Sequence, residues 1–287
     1  MSDIWSFSKL SSYHNCAYAW YLTYVLHEKG EDNVYGVLGN SIHDCLESMC
    51  KDEMTIEEAK EKFKQDYDMC KFLGMNFPTE NTEKKYIYDI EHAFDFFEKP
   101  KGRLEEERYI EFEIENKKFR GYVDLIIFDD EKKTIQVLDW KSSSKFSKKD
   151  LESHKVFQLI LYSMYLEKEY PDYKILNPAF YMLKYARVKN DVTGRESIRE
   201  RIDIDDTIHE VLEPYIVEVQ YNDNMKDKLK QYINEVTLDI AFNDEEEESD
   251  WYPTLEELRN NTFYCKNLCG HKKKCKFYKG DWYGKSN

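Results

Sequence analysis

The chain has 287 residues, of which 41% are hydrophobic, 15% aromatic and 34% charged. That aromatic content excludes a disordered chain, and the length accommodates one large domain or two small ones. The formal charge of −15 argues at first sight against a nucleic-acid partner, because neutralising phosphates needs clustered Lys and Arg.

In chain order, Ser8 is a plausible cap for a helix carrying Leu10, Tyr13, Ala17, Trp20, Tyr21 and Tyr24 at helical spacing. A second helix is expected to open near Gly39 and to carry Ile42, His43, Leu46, Glu47 and Met49. Residues 55–72 and 81–98 read as two more helices, separated by Gly74 and Pro78. The period then changes to two. Residues 108–115, 119–128 and 134–141 are β-rich runs joined by short polar turns and predict an antiparallel meander. Helical spacing returns over 150–169, Pro171 closes that segment, and 179–185 reads as a further strand. The expected fold class is α/β with a mixed central sheet flanked by helices.

No run of about 18 apolar residues is present, and the N-terminus lacks the basic start and apolar core of a signal peptide, so a cytoplasmic protein without a membrane span is expected. Seven cysteines in a reducing compartment point to metal ligation rather than to disulfides.

Asp139 and Lys141 close the third expected strand, and their spacing places both side chains on one face. A neighbouring strand can bring Asp124 alongside. Two carboxylates and an ammonium at a strand end suit Mg²⁺ or Mn²⁺ and phosphodiester hydrolysis. An isolated Asp-x-Lys is usually a surface charge pattern. Here Ile135, Val137 and Leu138 surround Asp139 with apolar neighbours, where an unpaired charge is costly and a ligand role relieves the cost.

The segments Ser6–Cys16, Gly39–Glu47, Gly121–Asp124, Leu138–Lys141 and Gln158–Tyr162, followed by C-terminal cysteines, together resemble the PD-(D/E)xK nuclease superfamily. Within it the chain is most similar to RecB-type and AddB-like iron–sulfur exonucleases, including the CRISPR-associated ones. The resemblance implies a single domain over residues 1–287, with a helical part (1–100), a nuclease core (105–190) and a cysteine-bearing C-terminal part (200–287). It implies His43, Asp124, Asp139 and the main-chain carbonyl of Trp140 as metal-binding groups, Lys141 as the catalytic lysine, and Gln158 and Tyr162 beside the active site. Glu111 or Glu113 is expected to supply a further acid.

Cys265, Cys269 and Cys275 lie within a short basic segment, at a density typical of zinc or iron–sulfur ligation. The resemblance supplies Cys16 as the fourth ligand of a [4Fe–4S] cluster that clasps the chain ends. Zinc is the alternative, with His271 able to replace one thiolate. Cys45, Cys50 and Cys70 are expected to be ordinary buried thiols.

The charge is uneven. Acids concentrate at Asp203–Glu218 and Asp244–Asp250, whereas Lys141, Lys145, Lys148, Lys149 and Lys155, then Lys184, Arg187, Lys189, Arg195, Arg199 and Arg201, and then the lysines after Cys265 form basic clusters. Such clusters, with tyrosines as stacking platforms, could track single-stranded DNA. The expected function is a Mg²⁺- or Mn²⁺-dependent deoxyribonuclease, an exonuclease on single-stranded ends, with protein partners in a repair, recombination or CRISPR adaptation complex. The alternatives are a non-catalytic iron–sulfur or zinc DNA-binding subunit of such a complex and a structure-specific endonuclease.

Overall fold

Side-chain caps decide where the helices begin. In the computed structural model, which describes residues 4–243 and 245–278, a short strand β1 (Ile4–Trp5) leads into α1 (Phe7–Asn15). The cap is Ser6 rather than Ser8, because the Ser6 hydroxyl accepts the Lys9 N–H at 3.1 Å. Next come α2 (Ala17–Tyr24) and α3 (Val34–Cys50), the latter capped by Asn33 and starting well before Gly39. Thr55 and Thr79 cap α4 (Ile56–Phe72) and α5 (Glu80–Asp95).

The meander forms as expected, as β2 (Arg103–Ile114), β3 (Lys117–Asp129) and β4 (Thr134–Lys141). The next helical stretch divides into α6 (Lys148–Leu151) and α7 (Phe157–Glu169). Beyond β5 (Lys174–Ile175), the expected strand at 179 continues to Asn190 as β6 (Ala179–Asn190). The remaining elements are β7 (Glu196–Glu200), β8 (His209–Glu218), α8 (Asp223–Phe242), α9 (Leu255–Asn260) and a π-helical turn at Tyr264–Leu268.

The strands make one mixed sheet in the order β1-β3-β4-β6-β7, with β2 on β3, β5 on β4 and β8 on β6. β4 and β6 are parallel and α7 provides the crossover. One face packs against α1, α2, α7 and α8, the other against α3, α4 and α5.

Two irregularities create the cleft. The β3–β4 ladder ends at Leu125↔Leu138, while β4 continues on β6 as far as Lys141↔Met182, so β3 and β4 splay from Asp124 and Asp139 onward. In addition, β2 and β3 exchange faces at the same level. Phe119 and Val123 pack on the α7 side but Leu125 and Ile127 on the α3 side; Ile110 and Phe112 pack on the α7 side but Leu104 on the α3 side. The switch falls at Glu107, whose φ of +44° is a left-handed conformation uncommon for glutamate.

A buried polar network ties α5 to the far strands. Arg201, fully buried, donates from Nε to the Leu183 carbonyl at 2.7 Å and approaches His92 Nδ1 at 3.0 Å. Asp89, also fully buried, accepts the Ile202 N–H at 2.8 Å, with Lys184 Nζ at 3.7 Å. Burial raises the Asp89 carboxyl to about 7, with Lys184 only partly opposing. The folded state therefore holds this proton above the ordinary carboxylate range, and stability from this group falls as pH rises toward 7. Asp89→Asn keeps the Ile202 hydrogen bond without the charge. Urea melts should show the variant gaining about 2 kcal/mol on the parent between pH 5 and pH 8; a pH-independent difference would mean that Asp89 stays ionised throughout.

Candidate active site and metal centres

Asp139 and Lys141 share a face of β4, as their spacing predicts, and Lys141 Nζ lies 2.7 Å from Asp139 Oδ2. Asp139 is only 4% exposed. Burial alone would lower the Lys141 pKa, but Asp139 and then Asp124 more than offset it and hold the ammonium above its ordinary value. Where the ladder fails, Asp124 takes over its hydrogen bond: the Trp140 N–H donates to Asp124 Oδ2 at 3.2 Å.

His43, on α3, reaches across to the same point. One ring nitrogen is 3.3 Å from Asp124 Oδ2 and the other 3.1 Å from the Trp140 carbonyl oxygen. A neutral imidazole has one N–H, so in either tautomer a lone pair faces an oxygen. The imidazolium would satisfy both contacts, but burial lowers the His43 pKa despite the nearby Asp139 charge. Burial first, then Asp139 and Glu107, push the Asp124 carboxyl well above its ordinary value, against Lys141 and the Trp140 N–H. The site is satisfied by a proton on Asp124 or by a cation between the ligand atoms.

Glu107 completes the group. Ligand atoms of His43, Glu107 and Asp124 all lie within 4.8 Å of one another. This corrects the expectation of Glu111 or Glu113: both are exposed, and Glu111 accepts the Tyr109 hydroxyl at 2.8 Å. The face switch at Glu107 turns its carboxylate toward Asp124, a displacement that strict alternation along β2 does not foresee. Burial, then Glu47 and Asp44, raise the Glu107 pKa.

Gln158 and Tyr162 stand on one side of α7, with Gln158 Nε2 donating to the Tyr162 hydroxyl at 3.2 Å. Burial, supplemented by Asp139, Asp124 and Glu107, pushes the Tyr162 phenol up to about 12, so it stays protonated beside the carboxylates. Gly121 makes room for it: a Cβ there would sit 2.7 Å from the Tyr162 hydroxyl. Gly39, one helical turn before His43, has nothing within 4 Å of its Cβ position and leaves open space beside the site.

Oxygen ligands, one imidazole and a main-chain carbonyl make a donor set for a hard divalent cation. A family model described as the PD-(D/E)XK nuclease superfamily matches residues 4–276, a span that includes every group named above. The chain belongs to the PD-(D/E)XK nuclease superfamily. No curated protein matches it in sequence. As a member of this superfamily the chain is a metal-dependent nuclease with DNA as its implied substrate, and its mixed sheet between helical layers is consistent with that fold.

The four expected cluster cysteines of this nuclease converge from opposite ends of the sequence. Cys16, Cys265, Cys269 and Cys275 line one cavity with Tyr264 and His271. Cys16 caps α2, accepting the Ala19 N–H at 3.4 Å. Burial pushes its thiol up to about 12, and Cys269, Cys265 and Cys275 add to the rise. His271 lies 2.8 Å from the Thr23 hydroxyl through Nε2. Cys45, Cys50 and Cys70 are buried among the α3–α5 side chains, as expected.

The basic clusters converge in part. Lys145, Lys155 and Lys184 join Lys85 around a cavity of about 670 Å³ that opens at Ser142–Ser144, directly after Lys141. Lys155 pairs with Asp150, and Lys85 and Lys184 pair with Glu200. Arg201 is buried and Arg187 is held by Glu196 and Glu213, so neither is available to a substrate. Lys279, Lys285 and Asp244 lie outside the described residues. No helix among the described residues is long and apolar enough to cross a membrane.

Because the proton on Asp124 and the cation compete, Mn²⁺ affinity should fall as pH drops from 8 to 6, with proton release detectable by calorimetry in two buffers. Glu107→Gln should weaken Mn²⁺ binding about tenfold or more, whereas Glu111→Gln and Glu113→Gln leave it unchanged. Equal affinity for all three variants would remove Glu107 from the site.

Proposed function

We propose that the protein is a Mg²⁺- or Mn²⁺-dependent deoxyribonuclease that degrades single-stranded DNA from an end and carries a structural [4Fe–4S] cluster. The observation that carries the nuclease assignment is the Asp139–Lys141 pair at 2.7 Å, set where β3 and β4 splay beside His43, Glu107 and Asp124. Residues holding the catalytic cation would be His43, Glu107, Asp124 and Asp139, with the Trp140 carbonyl contributing an oxygen. When bound, the cation supplies a water of lowered pKa and charge neutralisation at the phosphate.

The chain's own groups do the remainder. Lys141, kept charged by Asp139, donates to a phosphate oxygen or orients the attacking water as negative charge builds. Tyr162, neutral and fixed by Gln158, offers a hydroxyl at the floor of the site. The cavity from Ser142 to Lys184 gives a strand a path away from Lys141, and the open space at Gly39 leaves the approach to His43 clear. Most lysines of that cavity are already shared with carboxylates, which favours a flexible single strand over the charge density of a duplex.

For the second metal, four thiols lining one cavity would supply one ligand to each iron of a [4Fe–4S] cluster; zinc held by the same thiols, or by three of them and His271, is the alternative. The cluster would join segments that protein contacts already clasp: the Asn33 side-chain amide donates to the Leu268 carbonyl at 3.1 Å and the Asn261 amide to the Asn15 carbonyl at 2.9 Å. This favours a structural over a redox role.

Asp139→Asn and Lys141→Ala should each reduce Mn²⁺-dependent cleavage of end-labelled single strands about 10²–10³-fold, with unchanged circular dichroism. Undiminished cleavage by both variants would overturn the assignment. Circular single strands should resist the parent protein; cutting them as fast as linear ones would make it an endonuclease. Anaerobically purified protein should contain iron and no zinc, and Cys269→Ala should lose the iron and melt at lower temperature.

A further inference from the structure

On β2 and β3, the side chains that point to the α3 side of the sheet lose their helical cover just past the carboxylates. Leu104, Leu125 and Ile127 pack beneath α3–α5, but Tyr109, Glu111, Glu113, Lys118, Arg120 and Tyr122 are all exposed. The two tyrosines head this row. They are direct cross-strand partners, 47% and 57% exposed, with ring centroids 5.3 Å apart. Tyr122 is two residues before Asp124 along β3, which puts the two backbone positions about 6.7 Å apart.

Three further features make this a prepared surface. The Tyr109 hydroxyl donates to Glu111 at 2.8 Å, which anchors one ring while the other stays free. Arg120, next along the face and opposite Glu111, forms no ion pair among the described residues, whereas Lys155 and Lys184 of the cavity beyond Lys141 are held by carboxylates. Elsewhere on the sheet the large aromatic side chains of β3, β4 and β6 (Phe119, Phe128, Trp140, Phe180 and Tyr181) are buried, so the exposed pair is an exception. Cross-strand aromatic pairs also stabilise ribbons, but that role does not require them to lie open beside the active site.

We propose that Tyr122 and Tyr109 form a stacking platform for an unpaired nucleobase of the substrate strand, next to the phosphate cleaved at Asp124, Asp139 and Lys141, with Arg120 facing the adjoining backbone. The platform rests on the nuclease function proposed above and supplies its preference for single strands. A base must leave its stack to lie on Tyr122, which costs a single-stranded end little and a duplex much.

The test uses linear single-stranded oligonucleotides in which one abasic position is moved along the strand, with KM and kcat measured for the first cleavage in Mn²⁺. The parent protein should show KM raised about tenfold when the abasic position adjoins the scissile phosphate on one side, and little change elsewhere. Tyr122→Ala should raise KM about tenfold on intact strands, with kcat within twofold, and should show no further loss at that abasic position. Tyr122→Phe and Tyr122→Trp should behave like the parent, because stacking needs the ring and not the hydroxyl. An abasic penalty of full size in Tyr122→Ala, or an unchanged KM on intact strands, would overturn the platform. A lower melting temperature with unchanged KM would assign the pair to ribbon stability instead. No cleavage by the parent protein would overturn the nuclease function and the platform with it.

Discussion

The structure depends on holding three carboxylates together where water is scarce. Asp124 and Asp139 act on Lys141 and Glu107 lies beside Asp124; burial first, then Asp139 and Glu107 for Asp124 and Glu47 and Asp44 for Glu107, raises the pKa values of Asp124 and Glu107. A chain selected only for stability would place apolar groups there, because unpaired buried charge is expensive. The backbone irregularities serve the same end. The left-handed Glu107, the face switch of β2 and β3 and the early end of the β3–β4 ladder aim the carboxylates at one point and open it to a substrate. Such strain persists because the surrounding sheet and both helical layers fix it in place.

The second constraint is closure of the ends. α1 and α2 belong to the core on the α7 side, and the C-terminal segment returns across them through Asn261, His271 and the thiol cavity. Aromatic contacts reinforce the clasp: Tyr18 meets Tyr252 and Phe277 edge-on, and Trp20 stacks on Trp251 at 5.3 Å. The N-terminal helices thus pack on the α7 side of the sheet, while α3 brings His43 to the other side. Both proposed metal centres lie on this one scaffold.

Much of this was legible in the residues. The meander, the helix over 157–169 and the shared face of Asp139 and Lys141 follow from periods of two and 3.6, whereas only the resemblance singles out Cys16, which lines one cavity with Cys265, Cys269 and Cys275. The acid on β2 is not legible, because the resemblance suggests Glu111 or Glu113, alternation does not choose between them, and nothing in the residues signals the reversal at Glu107. Arg201 departs from expectation for a different reason: a cation in a basic cluster looks available to phosphate, yet this one is fully buried against Leu183 and His92. The strands and helix between residues 196 and 242 are not legible in the sequence, because charged side chains along exposed edges mask their alternation. Tyr109 and Tyr122 could be seen only as two of many tyrosines until the register made them partners.

The central claim is that this carboxylate cluster is a destabilising feature which a divalent cation relieves. The most direct measurement is the melting temperature of the parent and of Asp124→Asn, with chelator and with Mn²⁺. The account predicts that Asp124→Asn melts higher than the parent in chelator, and that Mn²⁺ raises the melting temperature of the parent alone. A variant that melts lower than the parent in chelator and still gains the full Mn²⁺ shift would contradict it.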